Sequence, residues 1–229
     1  MDEDFHLRTE DLTMNTKLIR AAIDLIRAEE ERRVAELPSE NTNAAYDRYV
    51  FTDLPFVNEL YLMLLVAMWH QIEKELICLA ARVDGSTDEM TQDDHKKAVY
   101  DLAKKRPKER WPMIEGKLRL KTFSDHKTLK LLQKLANTYK HDPFGRPSEK
   151  LLKCLNLQPG VPYAYLPASD ETAEGLCKAL GLDSAEGYSG IAAAFLKSAE
   201  QFLAKLNKET KLRPIERRSA SLNPNHMER

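Results

Sequence analysis

The chain has 229 residues, of which 42% are hydrophobic, which is enough to bury the core of a fair-sized globular domain without disulfides or structural metals. Its acidic, polar start, MDEDFHLRTED, does not fit a secretory signal peptide, and the apolar run from 60 to 69 is shorter than the roughly 20 residues that span a bilayer. We therefore expect a cytoplasmic protein with no membrane partner.

The net charge of −1 hides an uneven distribution along the chain. Residues 96 to 153 contain 17 Lys and Arg against 6 Asp and Glu, so this block carries +11 and the rest of the chain carries −12. A basic block of this kind indicates an anionic partner for one face. The alternative is a solvated basic surface, or pairing between basic and acidic helices within the chain.

Apolar residues recur at spacings of three and four along most of the chain, and only 8 residues are Gly, so the pattern predicts an all-α protein. A first helix is predicted over about 11–36 and a second over about 54–84. The second is apolar nearly all round from 60 to 69, which is typical of a helix buried among others. The apolar stripe of the first helix consists of Leu18, Ile19, Ala22, Ile23 and Ile26.

The middle of the chain is predicted to hold two further helices. Thr91 and Asp94 resemble a capping box that opens a helix ending before Pro107, and a short turn is predicted around 112–116. Another long helix is predicted over 125–141.

The last third of the chain begins with a proline-rich connection, 142–168, in which SEKLLKCLNL is amphipathic and predicts one short helix. A helix ending at Gly181 and a long helix that begins at Ser184 and runs to about 208 are predicted to follow.

The predicted fold is a four-helix bundle built from helices at about 11–36, 54–84, 125–141 and 184–208, with short inserted helices. We expect a single helical domain over 1–210 and a mobile C-terminal tail over 211–229, where apolar periodicity is absent.

The helix predicted over 125–141 has two distinct sides on a helical wheel. An imidazole beside an amide and two lysines favours a phosphodiester or nucleotide ligand, because a neutral His can act as a general base and an amide can orient a phosphate. The alternative is structural, since His in a last turn stabilises a helix C-terminus and lysines keep a surface soluble. The apolar arc holds Leu129, Leu132, Leu135, Ala136 and Tyr139, and the opposite stripe holds Lys130, Lys134, Asn137 and His141.

The pattern LLQKLANTYKHDPFGRPSE, at 131–149, resembles the HEPN superfamily (higher eukaryotes and prokaryotes nucleotide-binding), and by helix order the resemblance extends over about 11–208. Many members of this family are ribonucleases of bacterial conflict systems. Their motif is Arg, a polar residue, three variable residues and His, at the end of the third bundle helix. Aligned on His141, Asn137 fills the polar position, but Ala136 stands where the family has arginine.

The resemblance implies a homodimer whose motif-bearing helices face each other, a role in bacterial conflict, defence or toxin–antitoxin systems, RNA or a nucleotide as partner, and no cofactor. It implies either a metal-independent endoribonuclease or a protein that binds without cutting, since losing a positioned cation costs on the order of several kcal/mol of transition-state stabilisation. The implied catalytic residues are His141 and Asn137, the nucleic-acid-binding residues Lys130, Lys134, Lys140 and Arg146, and the supporting acid of the second helix Glu59 or Glu73.

Two other kinds of function are weighed against this one. A non-enzymatic helical interaction or regulatory protein could use its charged helices to bind a protein partner. Glu59, His70 and Glu73 share one helix face, but a di-metal bundle needs Glu-x-x-His motifs from two helices, so we expect no metal. The three cysteines, at 78, 154 and 177, form no CxxC pair and are predicted to be reduced core thiols.

Overall fold

A computed structural model of the chain describes residues 9–37, 47, 54–83, 89–141, 149–155, 170–210 and 215. In these ranges the chain forms eight α-helices and two short 3-10 helices, and the only strand-like pairing is an isolated parallel β-bridge between Met90 and Ile215. The all-α prediction is therefore confirmed. The α-helices are α1 (Thr9–Ala35), α2 (Leu54–Ala81), α3 (Gln92–Ala103), α4 (Pro107–Lys117), α5 (His126–His141), α6 (Glu149–Leu155), α7 (Asp170–Leu180) and α8 (Gly187–Glu209).

The four long helices α1, α2, α5 and α8 match the four predicted ones to within a few residues at most ends. The end of α2 and the start of α8 each differ from the prediction by three residues, and at α8 the reason is a separate 3-10 helix, Ser184–Glu186, that precedes it. The Asp183 side chain caps this turn by accepting a hydrogen bond from the Ala185 N–H at 2.9 Å. Gly187 then has a φ of 51°, which glycine tolerates, so the continuous helix begins only there and not at Ser184.

The shorter helices can be compared with the capping and proline patterns that the sequence contains. Thr91 is the N-cap of α3, and its hydroxyl oxygen accepts from the Asp94 N–H at 3.1 Å, as predicted. The predicted turn around 112–116 is wrong, since Pro112 lies inside α4. Pro107 opens α4 where no backbone donor is needed, and the fully buried Ile114 stabilises the helix beyond the second proline.

The packing of the chain divides it into two compact units, one of Met1–Glu73 with Lys121–Lys208 and the other of Lys74–Leu120 with Glu209–Arg229. The single domain over 1–210 stays a prediction. The tail over 211–229 lies outside the described residues except for Ile215, whose bridge to Met90 belongs to the second unit.

The core of the first unit is built around one face of α2. The predicted burial of α2 on all sides is wrong here, because the side chains buried between 54 and 73 fall within an arc of about 140° and Met63 is more than half exposed. The predicted stripe of α1 also needs correction, since Leu18 lies at its edge and is exposed, whereas Ile23 is buried. The largest buried side chains of the core are Trp69, Tyr61, Phe195, Phe202, Leu62, Leu65, Met68, Leu132 and Leu135.

The second unit has a smaller core with a buried histidine in it. The Nε2 of His95 lies 3.3 Å from the carbonyl oxygen of Cys78. Because a carbonyl only accepts, Nε2 must carry the proton and donate it. Burial lowers the pKa of the His95 imidazole, which favours the neutral form of this side chain. Burial also raises the pKa of the Cys78 thiol to about 11.

Among the helices of the described ranges, none combines the length and the apolar character needed to cross a membrane.

Replacing Phe202 tests the core of the first unit. Phe202 is fully buried, and its ring meets that of Phe123 edge to face at a centroid distance of 5.4 Å. We expect Phe202→Ala to lower the free energy of unfolding by about 3–5 kcal/mol, measured by denaturant titration. Met63→Ala, at an exposed site, should cost less than about 1 kcal/mol, and equal losses would contradict this packing.

The neutral state of His95 makes stability depend on pH. Its folded pKa lies below its unfolded value, so its contribution to stability is complete above the unfolded pKa and is lost as the pH falls below that value. Between about pH 7 and pH 5, His95→Gln should therefore lose less stability than the unmodified protein. Denaturant titrations across this range measure the difference. His70→Gln is the control for removing a histidine at an exposed position.

Candidate functional site at the end of α5

The two sides of α5 that the wheel distinguishes are also distinct in the structure. Leu129, Leu132, Leu135 and Ala136 are buried, and Tyr139 is half-buried. The helix contacts α6, which follows it along the chain. The inward face of α5 is thus fixed by apolar packing, and this packing determines which side chains reach solvent.

Three of the predicted site residues lie in solvent at the end of α5. Asn137, Lys140 and His141 are all exposed, with the last two in the final turn of the helix. The unsatisfied carbonyls of this turn give it a partial negative charge that the two basic side chains offset. An anion bound here would therefore depend on side-chain donors and cations, not on the helix dipole.

The two lysines farther from the helix end make contacts within the protein. Lys130 Nζ donates to Gln133 Oε1 at 3.1 Å, and Lys134 Nζ donates to Cys154 Sγ at 2.7 Å. Both lysines are half-buried, so they offer a ligand less than the exposed Lys140 does. Arg146, the fourth predicted basic residue, lies outside the described residues.

Of the two acidic candidates on α2, Glu59 is the one that lies near the end of α5. The pKa of the Tyr139 phenol is raised, first by burial and then by the negative charge of Glu59. Glu73 is 14 residues further along α2, which corresponds to about 21 Å at 1.5 Å per residue. The charge of Glu59 therefore acts on Tyr139, which lies on the side of α5 opposite Asn137 and His141, and Glu73 lies well away from Glu59.

Ala136 occupies a core position, with only 2% of its surface exposed. The family arginine would have to project from this position, where the neighbouring side chains are apolar and no solvent is available to a guanidinium. The packing of α5 therefore disfavours an arginine at this position, because the substitution would place a charge in the core.

The cysteines differ from the prediction at one position. Cys78 and Cys177 are buried as expected, but Cys154 is exposed on α6 and accepts the Lys134 hydrogen bond. The sequence carried a signal for this, because Cys154 lies outside the arc of the buried residues of α6, Leu151, Leu152 and Leu155, about 110° from its centre. All three thiols are free of disulfides.

The described part of the chain contains no group of three His, Cys, Asp or Glu side chains positioned to hold a metal ion. Glu59 and His70 are exposed, and Glu73 is half-buried.

The chain was compared with protein families, curated proteins and solved structures, and none of them matches it.

Two arginine substitutions at neighbouring positions test whether Ala136 belongs to the core. Ala136→Arg should lower the free energy of unfolding by about 3 kcal/mol or more, because a bulky cation enters a packed apolar site. Asn137→Arg, one residue later and exposed, should change it by less than about 0.5 kcal/mol. Thermal and denaturant unfolding measure both variants. If Ala136→Arg were tolerated as well as Asn137→Arg, this face of α5 would not be buried.

Proposed function

We propose that the chain is a HEPN-like helical protein of bacterial conflict, defence or toxin–antitoxin type that binds RNA or a nucleotide at the end of α5. The long helices α1, α2, α5 and α8 form the bundle in this proposal, with the shorter helices inserted between them. One observation carries it: Asn137, Lys140 and His141 are exposed together at the end of α5.

Each of the three exposed side chains can contact a different group of a phosphodiester chain. The Lys140 ammonium attracts a phosphate, and the Asn137 amide can donate to a phosphate oxygen or accept from a ribose hydroxyl. A neutral imidazole at His141 can accept the proton of a 2′-hydroxyl, which is the first step of metal-independent RNA cleavage. These groups suit a single-stranded segment, whose sugar and phosphate edges are accessible.

Binding without efficient cutting is the form of this function that the packing favours. Cleavage develops negative charge on the phosphate, and the arginine that neutralises it in the family is replaced by the buried Ala136. Lys134 is one turn away, but its Nζ is already engaged with Cys154 and an ammonium does not reproduce the two-pronged guanidinium contact. We therefore propose binding as the main activity.

Binding of a protein partner is the second candidate, and the basic junction between α3 and α4 favours it. Lys104, Lys105, Arg106 and Lys108 are all exposed there, and none of them forms an ion pair with another side chain in the described ranges. Such a cluster can attract an acidic protein surface. The junction belongs to the second unit, so substitutions separate it from the α5 site.

Titrating a fluorescently labelled single-stranded RNA tests the α5 site. Lys140→Glu should weaken binding and reduce the salt dependence by about 0.7 in log–log slope for each phosphate contact removed. His141→Ala should weaken binding less, and should abolish any cleavage of mixed RNA that the unmodified protein shows. Fluorescence anisotropy at several salt concentrations and gel analysis of the RNA measure the two effects.

Lys197→Glu is the matched control, since Lys197 is exposed on a different helix, α8. It changes the net charge by the same amount as Lys140→Glu and should leave binding nearly unchanged. Equal losses in both variants would mean that only overall charge matters. Loss of RNA binding in Lys104→Glu/Lys105→Glu alone would place the contact at the α3–α4 junction instead.

A further inference from the structure

Contacts on one side of α1 fix the rotation of this helix about its axis. Ile23 is buried, and Arg20 Nη2 donates to both carboxylate oxygens of Glu200 in α8, at 2.9 and 3.0 Å. Arg27 Nε donates to the hydroxyl of Ser189, also in α8, at 2.9 Å. Because these contacts hold one side of α1 against α8, the side chains on its other side are held outward.

The outward side of α1 is apolar along its centre. Leu18 and Leu25 are 63% and 71% exposed, and Ala21 and Ala28 are exposed between and beyond them. These four residues, which we call the α1 seam, follow the alternating spacing of three and four that places side chains along the contact line of a two-helix coiled coil. Large and small residues alternate along the seam, so a leucine of one seam can fit over an alanine of another.

Two opposite charges lie along one edge of the seam. Lys17 and Asp24 are exposed, and in the described part of the chain neither forms an ion pair or a hydrogen bond with another side chain. They are seven residues apart, so they lie on the same edge of the helix two turns from each other. Lys17 cannot reach Asp24 of its own helix across about 10 Å, but it could reach that of a second helix.

We propose that the α1 seam binds the α1 seam of a second copy of this chain in an antiparallel arrangement. With Leu18 opposite Ala21 of the second copy, the two-fold axis also places Ala21 opposite Leu18. The same register brings Lys17 beside Asp24 of the second copy and, by symmetry, Asp24 beside Lys17. In this register Leu25 and Ala28 lie beyond the central contact, opposite residues 14 and 11 of the second copy, on both sides of the axis.

The charges favour the antiparallel arrangement over the parallel one. In a parallel pair, Asp24 of one helix would lie beside a residue about five positions further along the second helix. That residue is Glu29. Two carboxylates would then face each other at both edges of the pair. Glu29 is moreover already engaged with Arg32 and Arg33 of its own helix. Only the antiparallel register gives each unpaired charge an opposite partner.

This inference does not rest on the proposed function, because α1 carries none of the α5 site residues. The family resemblance implied a homodimer with the motif-bearing helices face to face, whereas the α1 seam places the contact elsewhere. The two arrangements respond to different substitutions.

Sedimentation equilibrium of the full chain over a range of concentrations tests the proposal. The unmodified protein should show a reversible monomer–dimer equilibrium, and Leu18→Ser/Leu25→Ser should be monomeric. Both leucines are exposed, so circular dichroism of this variant should remain that of the unmodified protein. Lys17→Glu alone and Asp24→Lys alone should each weaken dimerisation on the order of tenfold, because two symmetric pairs change from attraction to repulsion.

An equimolar mixture of Lys17→Glu and Asp24→Lys chains should dimerise as the unmodified protein does. In the mixed dimer the introduced carboxylate meets the introduced ammonium at one pair, and the original Asp24 and Lys17 meet at the other. A mixture no better than its components would overturn the antiparallel register. A protein that stays monomeric at its highest soluble concentration, or whose dimer is disrupted by Lys197→Glu or Lys140→Glu as strongly as by the seam variants, would overturn the proposed surface.

Discussion

Burial of one face of α2 is the constraint on which the first unit depends. Tyr61, Trp69 and their apolar neighbours occupy a single arc of this helix, and each large side chain removed from water contributes about 1.5–3 kcal/mol. Once that arc is directed inward, the remaining face of α2 has to lie outward. Glu59 lies on that outer face and is exposed, and its charge acts on Tyr139 of α5. The direction of this carboxylate is thus set by the burial of its neighbours on α2.

Features that depend on local periodicity and on turn chemistry could be predicted from the sequence. The two sides of α5, the cap at Thr91 and the approximate extent of the four long helices follow from residues close together in the chain. Pro112 inside α4 could not be predicted this way, because the packing of Ile114 compensates for the backbone bond that the proline removes. Leu18 likewise has the spacing of a core residue, and only its place at the edge of the stripe leaves it in solvent.

The candidate site was predictable in part. That Asn137 and His141 point away from the apolar arc follows from the helical period alone. Whether Glu59 or Glu73 approaches α5 depends on how α2 packs against α5. Local sequence patterns do not predict the packing of two helices. The same holds for Lys134, whose Nζ donates to Cys154 of α6, the short helix inside the proline-rich connection 142–168. Residues expected to act as one stripe therefore separate into an exposed end and a half-buried middle.

The geometry of α5 also bears on what kind of chemistry its end can support. A helix C-terminus repels anions, so a phosphate bound there depends on cations supplied by side chains. In the family motif an arginine supplies one, but the residue before Asn137 is rotated by about 100° into the core and is alanine here. Lys140 is on the solvent side and can attract a phosphate, yet it is a flexible point charge with no rigid partner to aim it. Binding needs only that attraction, whereas cleavage needs a cation held in place as charge develops. Within the proposed function, the packing of a single alanine thus favours binding over cutting at this end of α5.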